Sequence, residues 1–253
     1  MAESDFHPAF VIPVYNHEHA IRATLLGALE YRMPVLLVDD GSDSLCQQVL
    51  EQLAGEFSDR VFLLRLDLNS GKGGALKAGF RFLLDKGFSH GIQIDADGQH
   101  DVADLPGFLK AAEVQPQALI AGYPDYDESV PKLRYYGRYL THVWVWINTL
   151  SFSIRDTMCG FRLYPLAPLV RQLSEEPCGD RMDFDTEVLV RWFWRGGTVI
   201  NQPVNVRYPL DGVSHFNVWR DNVLISLMHT RLFFGMLRRL PALLQRKFRQ
   251  DKR

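Results

Sequence analysis

Over its first half the chain alternates short apolar runs with longer mixed stretches. Pro8 to Asn16 reads as a buried strand entering a loop. Pro34 to Ser42 is a second apolar run, ending in Asp39, Asp40 and a turn. Arg60 to Leu66, Ile92–Gln93–Ile94 and Ala118 to Tyr123 read as three further strands. Between them, His19 to Tyr31, Ser44 to Phe57, a glycine-opened stretch through Leu84, and Asp101 to Glu113 read as helices, the last with Asp101 or Asp104 as cap. Strand–helix alternation with short connections predicts an α/β fold with a mostly parallel, doubly wound sheet. Pro13 cannot donate to a ladder, so pairing on one side of the first strand should end there. Further on, Met182 to Leu189 begins a helix, and Thr198 to Tyr208 reads as a strand that Pro203 places at an edge.

Three of these strand ends are polar. They carry Asn16, then Asp39 and Asp40, then Asp95 and Asp97. In open α/β sheets ligands bind outside the carboxyl ends of the strands. The stretch Asp95–Ala96–Asp97–Gly98–Gln99–His100 adds a specific possibility. Residues i and i+2 of a strand share a side, so the two carboxylates can converge. Hard oxygens on a short turn suit Mg²⁺ or Mn²⁺, with substrate phosphates completing the shell.

Composition changes little in this picture. The 253 residues are 47% hydrophobic and 23% charged, ordinary for a globular chain of one large domain or two small ones. The formal net charge of −2 hides an asymmetry: from Arg231 to Arg253 there are eight Lys or Arg against Asp251 alone. In that region Leu224, Met228, Leu232, Met236, Leu240 and Leu244 recur every four residues among arginines. This is a basic amphipathic helix, with Pro241 as an expected break, suited to an anionic membrane surface or to packing on the domain. The expected division is therefore 1–220 for the domain and 221–253 for a helical extension. Cys46, Cys159 and Cys178 show no metal spacing and read as packing residues of a reducing compartment. The acidic first residues do not resemble a secretory signal, and no uncharged apolar run reaches 18 residues.

The loop Asn69–Ser70–Gly71–Lys72–Gly73–Gly74 follows a strand and opens a helix, the context of a dinucleotide fingerprint. Leu76 stands where the third small residue belongs, and no Gly-Lys-Ser/Thr ends the loop, so it is no P-loop. Lys72 is either a charge near phosphate or a surface lysine. Lys132, Arg134 and Arg138 precede the aromatic run Trp144–Val145–Trp146. Arg134 and Arg138 share a helix face that would suit an anionic ligand or plain solvent.

Ile12–Pro13–Val14–Tyr15–Asn16, Val38–Asp39–Asp40–Gly41–Ser42, Asn69-x-Gly71–Lys72–Gly73 and Asp95–Ala96–Asp97–Gly98–Gln99–His100 come in the order seen in family 2 glycosyltransferases. Asp156–Thr157–Met158–Cys159–Gly160–Phe161–Arg162–Leu163–Tyr164 resembles the D-x-x-x-G-F-R-x-Y segment of the dolichyl- and polyprenyl-phosphate sugar transferase branch. The resemblance implies a GT-A fold and inverting transfer from a nucleotide-diphosphate sugar with a divalent metal. It places Pro13, Tyr15, Asn16, Asp39, Asp40, Lys72 and Asp95 near the nucleotide. It makes Asp97 and Gln99 metal ligands with Asp95 beside them, and turns Arg162 toward the acceptor. A metal and a cation beside the leaving diphosphate would stabilise the transition state more than the ground state. The chain departs from the pattern at His17, at Gly122–Tyr123–Pro124 where the family has G-S-R, and at Gly212–Val213–Ser214–His215.

For a hydroxyl acceptor Asp185 is the candidate general base. For a phosphate acceptor no base is needed and Asp185 caps its helix. Tyr208, Ser214 and His215 are candidates to close over the diphosphate. The expected function is sugar transfer from a UDP- or GDP-sugar to a lipid-linked or other amphiphilic acceptor. It would occur at the cytoplasmic face of a membrane, with residues 222–253 on the surface and no nucleic acid partner. Two other classes stay open: an NAD(P)-binding oxidoreductase using the Gly71 loop, and a non-catalytic membrane-surface scaffold.

Overall fold

The computed structural model describes residues 6–124, 132–205 and 217–250. The side chains of Lys132, Arg134, Phe248 and Arg249, and all of Tyr208 and Gly212 to His215, lie outside the described residues. The first half runs β1 (Pro8–Val14), α1 (Ile21–Leu29), β2 (Val35–Asp39), α2 (Ser44–Glu56), β3 (Val61–Arg65), α3 (Lys72–Asp85), β4 (His90–Gln93), a 3₁₀ turn (Val102–Asp104), α4 (Leu105–Val114) and β5 (Leu119–Pro124). Then follow α5 (Lys132–Thr149), β6 (Arg162–Pro165), α6 (Leu166–Glu175), α7 (Phe184–Trp194), β7 (Val199–Val204) and α8 (Val218–Gln250). The described strands form one seven-stranded sheet in the order β3-β2-β1-β4-β6-β5-β7. All pairings are parallel except the two made by β6.

Alternation along the strands builds a core on each face. Phe10, Ile12, Val35, Leu37 and Ile92 face Leu25 of α1, Leu50 of α2 and Phe108 of α4. Ala9, Val11, Leu36 and Val38 face Leu76 and Phe80 of α3, with α6, α7 and α8 completing that layer. Pro13 acts on one side only: β1 pairs with β2 through Val14, but with β4 only as far as Val11. Asp43 caps α2, accepting from Cys46 N at 3.0 Å. Asp101 caps the 3₁₀ turn, whereas Asp104 caps nothing and instead holds the Asn205 amide at 2.6 Å. The edge position of β7 agrees with Pro203.

Two elements escaped the pattern reading. Strand β6 has four residues and opens on an arginine, too short to show a period. Helix α6 follows it directly and was not read from the pattern. The tail also differs from expectation. Asn217 caps α8, accepting from Arg220 N at 2.9 Å while its own amide donates to Asp221 at 2.7 Å. The helix then runs 33 residues through Pro241 rather than breaking there. Met228, Leu232, Met236 and Leu243 are buried in the core layer shared with α3 and α7, and contacts on both sides of Pro241 offset its missing amide. Arg231 pairs with Glu187, Arg239 with Glu176, and Arg246 donates to the carbonyls of Phe193 and Trp194. The middle of the repeating apolar stripe, Met228, Leu232, Met236 and Leu240, is thus a packing face, while its last member, Leu244, is exposed. A second stripe, Trp219, Val223, Leu227, Phe234, Leu237 and Leu244, is exposed.

Candidate active site

Past β4 the alternation continues. Ile94 and Ala96 stay in the core, so Asp95 and Asp97 turn to the opposite side. There Asp95 meets α3: its Oδ1 lies 2.7 Å from Lys72 Nζ, and its Oδ2 lies 3.5 Å from His100 Nε2. Lys72 Nζ also lies 2.8 Å from Asp185 Oδ2, so one ammonium bridges two carboxylates. Lys72 is not a surface lysine; its side chain is 17% exposed.

The loop before Lys72 explains its position. Asp40 Oδ1 accepts from Ser70 N and Oγ at 2.7 and 2.8 Å, and Oδ2 accepts from Gly71 N at 2.8 Å. Gly71 has φ +90°, and a Cβ there would meet Asp180 O at 2.6 Å. A Cβ on Gly73 would likewise fall on Phe184. The glycines therefore serve close packing against residues 180–184, not an open cradle for a dinucleotide. A Cβ on Gly160 would run into the Asp95 carboxylate, which explains the glycine of the D-x-x-x-G-F-R segment.

Charge is unevenly satisfied here. Burial pushes the Asp95 carboxyl up, but Lys72 and then His100 outweigh it and hold the group below the usual carboxylate range. Burial and then repulsion from Asp95 raise Asp97, whose Oδ1 accepts from Gln99 N at 3.0 Å. Burial works against charge on Lys72, yet Asp185 and Asp95 prevail and keep it a cation.

Arg162 and Asp185 differ from expectation. The resemblance turned Arg162 toward an acceptor; it is fully buried in β6, the strand that pairs antiparallel with β4 and β5. Its Nε donates to Cys159 O at 2.9 Å, Nη2 to Thr157 O at 2.6 Å, and Nη1 to Asp185 O at 2.6 Å and Tyr164 OH at 3.2 Å. A guanidinium with its donors taken in this way positions its neighbours. Asp185 does not cap α7: its Oδ1 accepts from Gln93 Nε2 at 3.1 Å, and Tyr164 OH donates to Gln93 Oε1 at 3.0 Å. Burial pushes the Tyr164 hydroxyl up to about 12, so it stays a donor. Gln93 and Tyr164 were not expected here; the signal was a glutamine between two isoleucines.

The other expected nucleotide residues are spent locally. Asp39 is fully buried, accepting from Ser42 N at 2.9 Å and pairing with Arg65 Nε at 2.8 Å. Asn16 sits at φ +52° and its Oδ1 accepts from Asp43 N at 2.8 Å. Pro13 lies in β1 opposite Val38, and Tyr15 follows that strand, half-buried. The three cysteines are buried and free, as expected of packing residues, and burial pushes Cys159 and Cys178 up to about 12.

A cleft of about 200 Å³ opens nearby, lined by Tyr123, Pro124, Arg138, Tyr139, His142, Arg155 and Asp156. Arg138 grips Asp156 at 2.5 and 2.7 Å, and His142 Nε2 lies 3.0 Å from it. Burial raises Asp156, but His142 and Arg138 hold it below the carboxylate range. Arg155 donates to Tyr123 OH at 2.9 Å with its guanidinium 4.8 Å from the ring centroid. It brings a guanidinium to the end of β5, where Pro124 replaces the arginine of G-S-R. Residues 156–162 join this cleft to the acid turn.

No three His, Cys, Asp or Glu side chains form a closed metal cage among the described residues. An open oxygen site fits better. Asp95 Oδ1 is buried with the Lys72 ammonium against it, and Asp97 is repelled by its neighbour. A hard cation beside them would relieve Asp97; Asp97, Gln99 and Asp95 are the residues that would hold it.

The sheet order, with one antiparallel strand in an otherwise parallel sheet, is that of the GT-A fold. The Mycobacterium tuberculosis glucosyl-3-phosphoglycerate synthase, solved with Mn²⁺, uridine diphosphate and phosphoglyceric acid, superposes with a TM-score of 0.63 at 15% identity, covering 92% of this chain and 78% of that one. Residues 9–169 match Glycosyl transferase family 2, and the chain belongs to that family. Dolichyl-phosphate beta-glucosyltransferase of Mus musculus is 29% identical over 201 residues, 71% of this chain and 60% of that protein. An uncharacterised protein of Methanocaldococcus jannaschii, MJ0544, is 26% identical over 211 residues, 81% of this chain and 90% of its own length.

Proposed function

We propose that the chain transfers a sugar, with inversion, from a UDP- or GDP-sugar to a lipid-linked acceptor that presents a phosphate. The observation that carries this reading is the joining of the acid turn to the arginine-lined cleft through residues 156–162. The relatives' names support it: one acts on dolichyl phosphate, and a structural neighbour holds Mn²⁺ with a nucleoside diphosphate.

A bound Mg²⁺ or Mn²⁺ at Asp97, Gln99 and Asp95 would neutralise charge building on the departing diphosphate. Lys72 supplies a second, permanent cation beside it. Asp40 contributes by fixing the Ser70–Gly71 turn that presents Lys72. Gln93 and Arg162 hold Asp185, and Asp185 anchors Lys72. With its oxygens engaged by Gln93 and Lys72, Asp185 is better suited to that anchoring than to taking a proton. This favours a phosphate nucleophile, which is already mostly ionised near neutral pH and needs no base. Arg155, Arg138 and His142 would receive that phosphate in the cleft.

No helix among the described residues is long and apolar enough to cross a membrane. Exposed Leu140 and Ile147 of α5 and Trp219, Val223 and Leu227 of α8 instead suit shallow insertion. Basic residues of the tail would then lie against anionic lipid of the cytoplasmic face.

The test is a panel of sugar nucleotides with Mn²⁺ and anionic vesicles carrying a polyprenyl phosphate. Release of nucleoside diphosphate should require metal and fall at least about 10³-fold in Asp97→Ala. The protein should sediment with those vesicles and not with neutral ones. No release with any donor, or full activity in Asp97→Ala, would sink the reading.

A further inference from the structure

Lys72 is more than a bystander to the metal site. Its ammonium touches Asp95, one of the carboxylates that would hold the ion, and does so from a largely buried position. Two further carboxylates, Asp97 and Asp185, stand around it. A divalent ion entering beside Asp95 would meet the ammonium at close range, and like charges at such separation repel strongly away from bulk water. The lysine has somewhere to go. Asp185 holds it from the other side at 2.8 Å and is itself fixed by Gln93 and by Arg162, whose Nη1 lies 3.6 Å from Asp185 Oδ1. The lysine stem is flexible and its base is clamped by Asp40 through Gly71, so the ammonium can pivot about Asp185 without moving α3.

We infer that Lys72 is an internal counter-ion for the acid turn: it occupies Asp95 when the site is free, and a nucleoside diphosphate draws it off so that the metal can bind tightly. This rests on the donor reading above. The diphosphate offers Lys72 a more highly charged partner than Asp95, and the vacated carboxylate passes to the metal. Metal and nucleotide binding are then positively coupled, each removing the obstacle to the other. Lys72 thereby couples metal to nucleotide and keeps the acid turn neutralised between turnovers.

The experiment measures Mn²⁺ affinity by the loss of the free-ion electron paramagnetic resonance signal, on the full chain, with no sugar donor present. Wild type should bind Mn²⁺ about tenfold more tightly with UDP or GDP than without, beyond what the Mn²⁺–nucleotide complex accounts for. Lys72→Met should raise the nucleotide-free affinity about tenfold and shrink the nucleotide effect. Asp185→Asn removes the other anchor, leaves Lys72 on Asp95, and should lower the nucleotide-free affinity. Unchanged or weaker binding in Lys72→Met overturns the inference. If that variant fails to fold, unchanged or tighter binding in Asp185→Asn overturns it. Wild type that binds no Mn²⁺ even with nucleotide is a different result, and it removes the donor reading itself.

Discussion

Two acid pairs end the strands on either side of β1, and they are used in opposite ways. Asp39 and Asp40 close β2 as adjacent residues, so they point to opposite sides. Each is filled with donors: Ser42 N and Arg65 for Asp39, Ser70 and Gly71 for Asp40. Asp95 and Asp97 follow β4 two residues apart and share a side. They are left short: Asp95 divides its charge between Lys72 and His100, and Asp97 is repelled by Asp95. A carboxylate whose lone pairs are taken by backbone amides shapes the chain. One that is close to a like charge and poor in donors is ready for a cation. The spacing, one residue against two, already separates the pairs.

This contrast can be broken first at Asp40. Asp40→Ala strands three donors on Ser70 and Gly71, so it should cost about 3 kcal/mol in a urea melt. An unchanged midpoint would show that the turn holds itself without the carboxylate. Gly160→Ala acts on the other pair. Its methyl would collide with Asp95, costing about 1–3 kcal/mol and weakening Mn²⁺ binding together. Weakened stability with metal affinity intact would mean that Asp95 moves without consequence.

The smallest effect is electrostatic and depends on pH. Asp97 is raised in the folded protein, so its ionised form opposes folding at pH above that raised value. Asp97→Asn removes the opposition and should melt slightly higher than wild type at neutral pH. The gap should close as pH falls through the raised value toward the ordinary carboxylate range near about 4. A constant gap from pH 7 to 4 would contradict the repulsion.

Much of this was legible along the chain. Strands β1 to β5 and the helices between them follow from local alternation, and so does the convergence of Asp95 and Asp97. Strand β6 was not legible, because four residues inserted antiparallel between β4 and β5 carry no period of their own. Arg162 misled for the same reason: a charged residue in a motif resembles a ligand contact until its carbonyl partners are seen. The tail was legible in part. Periodicity shows that α8 has an apolar stripe, but not whether lipid or protein covers it, and Met228, Leu232 and Met236 pack inside.

By itself the sequence determined which acids stand at which strand ends, since strand geometry is a matter between near neighbours. Only the tertiary structure decided which charges meet. Gln93 and Asp185 are 92 residues apart, and Lys72 reaches both Asp95 and Asp185 only because α3 and α7 pack on one face of the sheet. Ion pairing depends on distance and burial in space, and neither is written in the spacing of residues along the chain.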